Sequence, residues 1–161
     1  MVVTCYQQAH LVVDALESVA RQTEPDIQLI VTDDGSADDS VEVINHWLAD
    51  NAHRIRWGTE LLAAGSNRGL PASLNRAMPH IRGQYFVVLN GDDWMDDDRI
   101  EVQATALDNA PNDVGVSYCD MRVVDSNGAA LVPQPPTLHG GAEGDVLQRM
   151  AESTFIGMPV V

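Results

Sequence analysis

Positive charge is scarce in this chain. Nine Lys and Arg residues stand against 24 Asp and Glu, for a formal net charge of −15. Nucleic acid backbones are held by clustered Lys and Arg, so this balance argues against a nucleic acid partner. It argues equally against docking on an anionic membrane surface. A nucleotide stays compatible with it wherever a cation screens the charge. Cysteine is rare as well. Cys5 and Cys119 both lie in apolar, strand-like surroundings and read as two buried, reduced thiols. No stretch approaches the roughly 18 apolar residues of a membrane span. No signal peptide, internal repeat or low-complexity segment is visible. These absences favour a cytoplasmic protein or the soluble part of a longer one.

What is present is a globular balance: 161 residues, 45% hydrophobic and 20% charged, enough for one domain with a real core. Val2-Val3-Thr4 reads as the end of a strand. Ala9 to Thr23 carries Leu11, Val12, Ala15, Leu16, Val19 and Ala20 on one helical face. Ile27 to Thr32 is a second strand, followed by an amphipathic helix marked by Val41, Ile44, Trp47 and Leu48. Ile55 to Leu62 is a weaker strand, and Leu70, Leu74, Ala77 and Met78 form a third helical face that Pro79 should end or bend. Tyr85 to Leu89 is a strand, and a helix from Asp96 runs to about Asn109. Val114 to Cys119 and Met121 to Val124 are expected as further strands, with Ser126-Asn127-Gly128 as a hairpin-type turn. Pro133 to Gly144 reads as a loop, and Val146, Leu147 and Met150 suggest a short last helix. Strands alternating with helices imply an α/β fold with a mainly parallel sheet.

Ligands of open α/β sheets bind at the carboxyl edge of the strands, so the polar residues that end each strand are the candidates for chemistry. The apolar run Tyr85 to Leu89 stops in Asn90-Gly91-Asp92-Asp93. Carboxylates gathered there suit a hard divalent cation and, through it, a phosphate. Asp92 is the better ligand because it is anionic, whereas Asn90 offers only a neutral oxygen or a hydrogen bond. Gly91 removes a side chain that would block a close ligand. The alternative for Asp92 and Asp93 is a capped turn. Asp33 and Asp34 end the second strand, where they either accept hydrogen bonds from a base or ribose, or only organise the turn and cap the next helix. Thr4 and Tyr6 follow the first strand, and the Tyr6 ring either stacks on a planar base or simply packs. Asn67 and Arg68 sit in a Gly-flanked loop, able to reach a phosphate or merely to line the surface. Asp96, Asp97 and Asp98 suit the first turn of a helix. Trp94 either offers a platform to a sugar or packs under its helix. His139 reads as an exposed loop residue, and His10, His46, His53 and His80 as solvated.

The order of these blocks resembles the family 2 glycosyltransferases. Val2-Val3-Thr4-Cys5-Tyr6-Gln7 is similar to that family's first strand, and Ala15 to Val19 with Gln22-Thr23 to its first helix. Ile30 to Ser36 is similar to its nucleotide-binding turn, Asn67-Arg68-Gly69 and Asn75 to the loop and helix before its metal strand, and Asn90-Gly91-Asp92 falls where it carries D-x-D. The resemblance implies a GT-A-type, Rossmann-like fold over residues 1–161 as a single nucleotide-sugar-binding domain. It also implies an inverting, metal-dependent transfer from a nucleotide-diphosphate-sugar, UDP-sugars being favoured, to a carbohydrate or other hydroxyl acceptor in polysaccharide biosynthesis. The donor would be held by Thr4, Tyr6, Asp33, Asp34, Asn67, Asn90 and Gly91, and Mg²⁺ or Mn²⁺ by Asp92. Asn90 departs from the family's first aspartate. Phe155 to Val161 resembles the strand entering the family's second half, so the catalytic base is expected beyond Val161, and membrane association, if any, through parts outside this chain. A truncated or degenerate domain that binds a nucleotide sugar or a protein partner is the alternative.

Overall fold

Residues 1–125, 128–131 and 144 are described by a computed structural model of the chain. Four strands, β1 (Val2–Cys5), β2 (Leu29–Asp33), β3 (Thr59–Ala63) and β4 (Val88–Asn90), form one parallel sheet in the order β3-β2-β1-β4. The helices between and after them are α1 (Val12–Ala20), α2 (Ser40–Asn51), α3 (Leu70–Ala77) and α4 (Arg99–Asp108). Parallel strands need crossover connections, which is why α1, α2 and α3 each fall between two strands, while α4 follows β4.

The side-chain alternation of the central strands divides the core in two. Val3, Val31 and Leu89 point to the face covered by Val12, Ala15, Leu16 and Val19 of α1, Ile44 and Trp47 of α2 and Ile100 of α4. Val2 and Ile30 point the other way, onto Ala77 and Leu74 of α3. Every residue of β1 and β2 is buried, as expected for strands covered on both faces. Strand register sets the functional edge. Thr4 lies beside both Thr32 and Asn90, and Cys5 beside Asp33, so the polar ends of β1, β2 and β4 stop at one level.

Several expected boundaries move. Helix α1 begins at Val12 because residues 7–9 donate their amides to the neighbouring loop. Strand β4 begins only at Val88 and includes Asn90, while Phe86 is half exposed. Pro79 falls in a 3-10 turn, Met78–His80, directly after α3. The expected strands Val114 to Cys119 and Met121 to Val124 are not formed. Among the described residues that region makes a single antiparallel bridge, Val124 with Ala130. Val114, Val116, Met121 and Val123 remain substantially exposed. Alternating apolar residues make a strand only when a partner supplies the ladder, and none is present there among the described residues. Leu131 donates to Val123 and Gly128 to Asp125, which closes the expected hairpin turn around Gly128. His139, the expected last helix and the final segment Phe155 to Val161 lie outside the described residues, as do Ser126 and Asn127.

The cysteines also divide. Cys5 is buried in β1, and burial pushes its thiol up to about 11. Cys119 is exposed, contrary to the expectation of two buried thiols, because its segment is not a strand. A disulfide-exchange reagent at pH 8 should therefore titrate one thiol rapidly in the native protein and the second only in denaturant. Two fast thiols would contradict the burial of Cys5.

Candidate functional site

The edge is assembled by short contacts between strand ends. The Thr4 hydroxyl donates to Asn90 Oδ1 at 3.3 Å, and Asn90 Nδ2 donates to Asp93 Oδ2 at 3.2 Å. The Gly91 amide donates to the Thr4 carbonyl at 2.7 Å. A Cβ on Gly91 would stand 2.7 Å from Gln8 Oε1 and 2.9 Å from the Thr4 carbonyl oxygen. The glycine is thus required by close packing on β1, a different reason from the ligand approach expected from sequence. Asn90 bridges Thr4 and Asp93 through both ends of its amide.

Asp33 and Asp34 divide their work. Asp33 is fully buried and its Oδ1 accepts from the amides of Gly35 (3.0 Å) and Ser36 (2.9 Å), while Oδ2 accepts from the Ser36 hydroxyl. This is the turn-organising alternative, with both Asp33 oxygens bonded inside the turn. Asp34 Oδ2 accepts from the amides of Arg68 (3.0 Å) and Gly69 (2.6 Å), drawing the β3–α3 loop against the β2 end. Its Oδ1 is buried without a hydrogen bond, 3.6 Å from the Arg76 guanidinium. Gly35 allows this interlock: its φ is +77°, and a Cβ would lie 2.5 Å from the Ser66 backbone. Arg76 also donates to the carbonyls of Asp33 (3.0 Å) and Leu62 (2.9 Å), tying β2 to β3.

The loop after β1 is built against a phosphate cradle. Three successive amides are already bonded, Gln7 to Ser36 Oγ (2.8 Å), Gln8 to Ser40 Oγ (3.0 Å) and Ala9 to Asp38 Oδ2 (3.2 Å). Backbone nests bind phosphate with free N–H groups, and these are taken. Tyr6 presents 41% of its surface to solvent beside them. Asn67 is exposed on its loop. Ser36 was read from sequence only as part of the turn after β2, and no role was assigned there to Gln7, Gln8, Asp38, Ser40 or Arg76. The Ser and Asp cluster from Ser36 to Ser40 was the available signal, since such residues cap amides.

Asp92 is exposed at the tip, next to half-buried Asp93. Burial, and after it the neighbouring Asp92 charge, hold the Asp93 carboxyl above the ordinary range. Two carboxylates at one exposed turn fit a divalent cation that arrives with a diphosphate, since Mg²⁺ is commonly held by one or two carboxylates plus phosphate oxygens. A cation caged by protein alone does not fit: among the described residues no group of three His, Cys, Asp or Glu could hold one. Beyond the tip, Asp96 pairs with Arg122 and Asp97 with Arg21, ordinary surface ion pairs. Trp94 is 47% exposed there. A groove of about 460 Å³ between α4 and residues 119–122 opens nearby, lined by Met95, Arg99 and Met121 among others, but by none of the edge residues above.

A sequence profile for glycosyl transferase family 2 matches residues 1–149. The chain belongs to this family. Similar proteins include a chondroitin synthase of Escherichia coli, 28% identical over 128 residues, which are 78% of this chain and 17% of that protein. The putative glycosyltransferase EpsE of Bacillus subtilis is 28% identical over 81% of this chain and 46% of its own length. The chain therefore spans less than half of these curated relatives. A mannosyltransferase from Pyrobaculum calidifontis, solved with GDP-Man and Mn²⁺, superposes with a TM-score of 0.66 at 24% identity, over 75% of this chain and 34% of that one. S. aureus TarS 1-349 with UDP gives 0.59 at 20% identity, over 66% and 31%. These likenesses establish the GT-A, Rossmann-like fold. Among the described residues no helix is long and apolar enough to cross a membrane.

Two outcomes check the site's construction. Gly35→Ala combines a left-handed backbone with a backbone clash, so it should lower stability by about 2–4 kcal/mol in denaturant melts. A loss below 0.5 kcal/mol would refute the interlock. Asp93 has a folded-state value above its unfolded one, so its contribution falls as pH rises through that raised value and is unfavourable at neutral pH. Metal-free Asp93→Asn should therefore melt higher than the unaltered chain at pH 7, with the difference shrinking toward pH 4. A difference independent of pH would contradict the raised Asp93 carboxyl and the burial and Asp92 charge behind it.

Proposed function

We propose that this chain is the donor-binding part of a glycosyltransferase that takes a nucleoside-diphosphate sugar. Tyr6 would stack on the base, Thr4 and Asp34 would meet the base and ribose, and the diphosphate would lie toward Asn67, Asn90 and Gly91. Asp92 would hold Mg²⁺ or Mn²⁺ on that diphosphate, with Asp93 beside it. Such a cation supplies charge stabilisation to the departing diphosphate. Asp33 enters the proposal as a positioning residue, through its hold on Ser36.

The observation that carries the reading is the pairing of exposed Asp92 with a β1–α1 loop whose amides are already bonded. On a chain of net charge −15, a diphosphate at this edge requires a cation to offset repulsion. The relatives support the class of donor: the mannosyltransferase holds GDP-Man with Mn²⁺, and TarS has been solved with UDP-GlcNAc. Relatives named chondroitin and hyaluronan synthase support a polysaccharide acceptor. Inversion, taken from the family resemblance, needs a general base within reach of the acceptor hydroxyl, and we assign none of the described residues to it.

In calorimetric titrations with UDP and GDP in the presence of Mn²⁺, at least one should bind, and Asp92→Ala or chelation should weaken it tenfold or more. Equal affinity with and without metal would refute the role given to Asp92.

A further inference from the structure

Gln7 is the one non-glycine residue with positive φ among the described residues, at 54°. Left-handed backbone is uncommon for a residue of this kind and costs about 1–3 kcal/mol, so it persists only where its surroundings hold it. The surroundings here are a chain of hydrogen bonds. Asp33 Oδ2 accepts from the Ser36 hydroxyl, and Ser36 Oγ in turn accepts from the Gln7 amide at 2.8 Å. Held in that conformation, Gln7 turns its side chain back, and Nε2 donates to the Tyr6 phenol oxygen at 2.9 Å. The Gln8 carboxamide meets the backbone of the same tyrosine, its Oε1 accepting from the Tyr6 amide at 3.4 Å. A ring 41% exposed at the mouth of a site would otherwise sample several rotamers.

We infer that Gln7 is a positioning residue that fixes the Tyr6 ring for a nucleobase, and that its left-handed backbone is the conformational cost of that placement. The inference rests on the donor-site reading above and extends it to a residue with no contact assigned to the ligand. An immobilised ring loses less rotamer entropy when a base stacks on it, so the effect appears as affinity. It also predicts an opposition between stability and binding, which a simple structural role would not produce.

Gln7→Asn separates the two. Asparagine accepts left-handed backbone more readily but is one methylene shorter, so it loses the phenol. The Tm of the chain should stay level or rise by about 2–4 °C, while the Kd for UDP or GDP with Mn²⁺ weakens about three- to tenfold. In a Tyr6→Phe background, which removes the phenol oxygen, Gln7→Asn should leave Kd within a factor of two, because the acceptor is already gone. Unchanged affinity on Gln7→Asn overturns the inference while leaving the donor site standing. So does an equal loss of affinity in the Tyr6→Phe background. Failure of the unaltered chain to bind either nucleotide overturns the donor-site reading and this inference together.

Discussion

The site depends on two adjacent carboxylates at the end of β2. Asp33 faces inward and binds its own turn, and through Ser36 it governs the loop after β1. Asp34 faces the other way and holds the loop before α3 by two amides. Buried carboxylates are tolerated only when their oxygens are matched by donors or opposite charge, and here the donors are mostly backbone N–H groups of the surrounding loops. Removing either carboxylate would leave those amides unsatisfied and release a wall of the site. Arg76 adds the balancing charge and links β2 to β3.

The parallel sheet supplies the platform for this arrangement. Its central strands are apolar along their length, and the first polar side chains appear where β1, β2 and β4 stop together. Thr4, Asp33, Asp34 and Asn90 are therefore brought together by strand register rather than by sequence proximity. Asp92 lies two residues past the ladder, clear of the packing that occupies Gly91 and Asn90. Burial first, and the neighbouring Asp92 charge second, hold the Asp93 carboxyl up beside that tip.

Much of this was legible in the sequence because apolar runs ending in Asp or Asn mark strand ends independently of tertiary detail. The element order, the parallel sheet and the Asn90–Asp92 tip follow from that pattern. The stretch from Val114 to Val124 shows its limit: the residues have strand character, but pairing is a property of two segments. The division of labour between Asp33 and Asp34 was equally hidden, since either could have closed the turn until the path of the β3–α3 loop was known. Gln7 gave no signal, because left-handed backbone is signalled by Gly or Asn and not by Gln. Arg76 drew no reading from the sequence, and only its bonds to Asp33 and Leu62 reveal its use.

In the proposed complex a cation and a diphosphate meet at the Asp92 tip. Paramagnetic broadening by Mn²⁺ tests it most directly, with the diamagnetic Mg²⁺ complex as reference and UDP or GDP present in both. The account predicts selective loss of the backbone amide signals of Gly91, Asp92 and Asp93. The indole signal of Trp57, which precedes β3 at the opposite end of the sheet, should persist. Persistence of the Asp92 and Asp93 signals at saturating nucleotide and Mn²⁺, or broadening centred elsewhere, would contradict it.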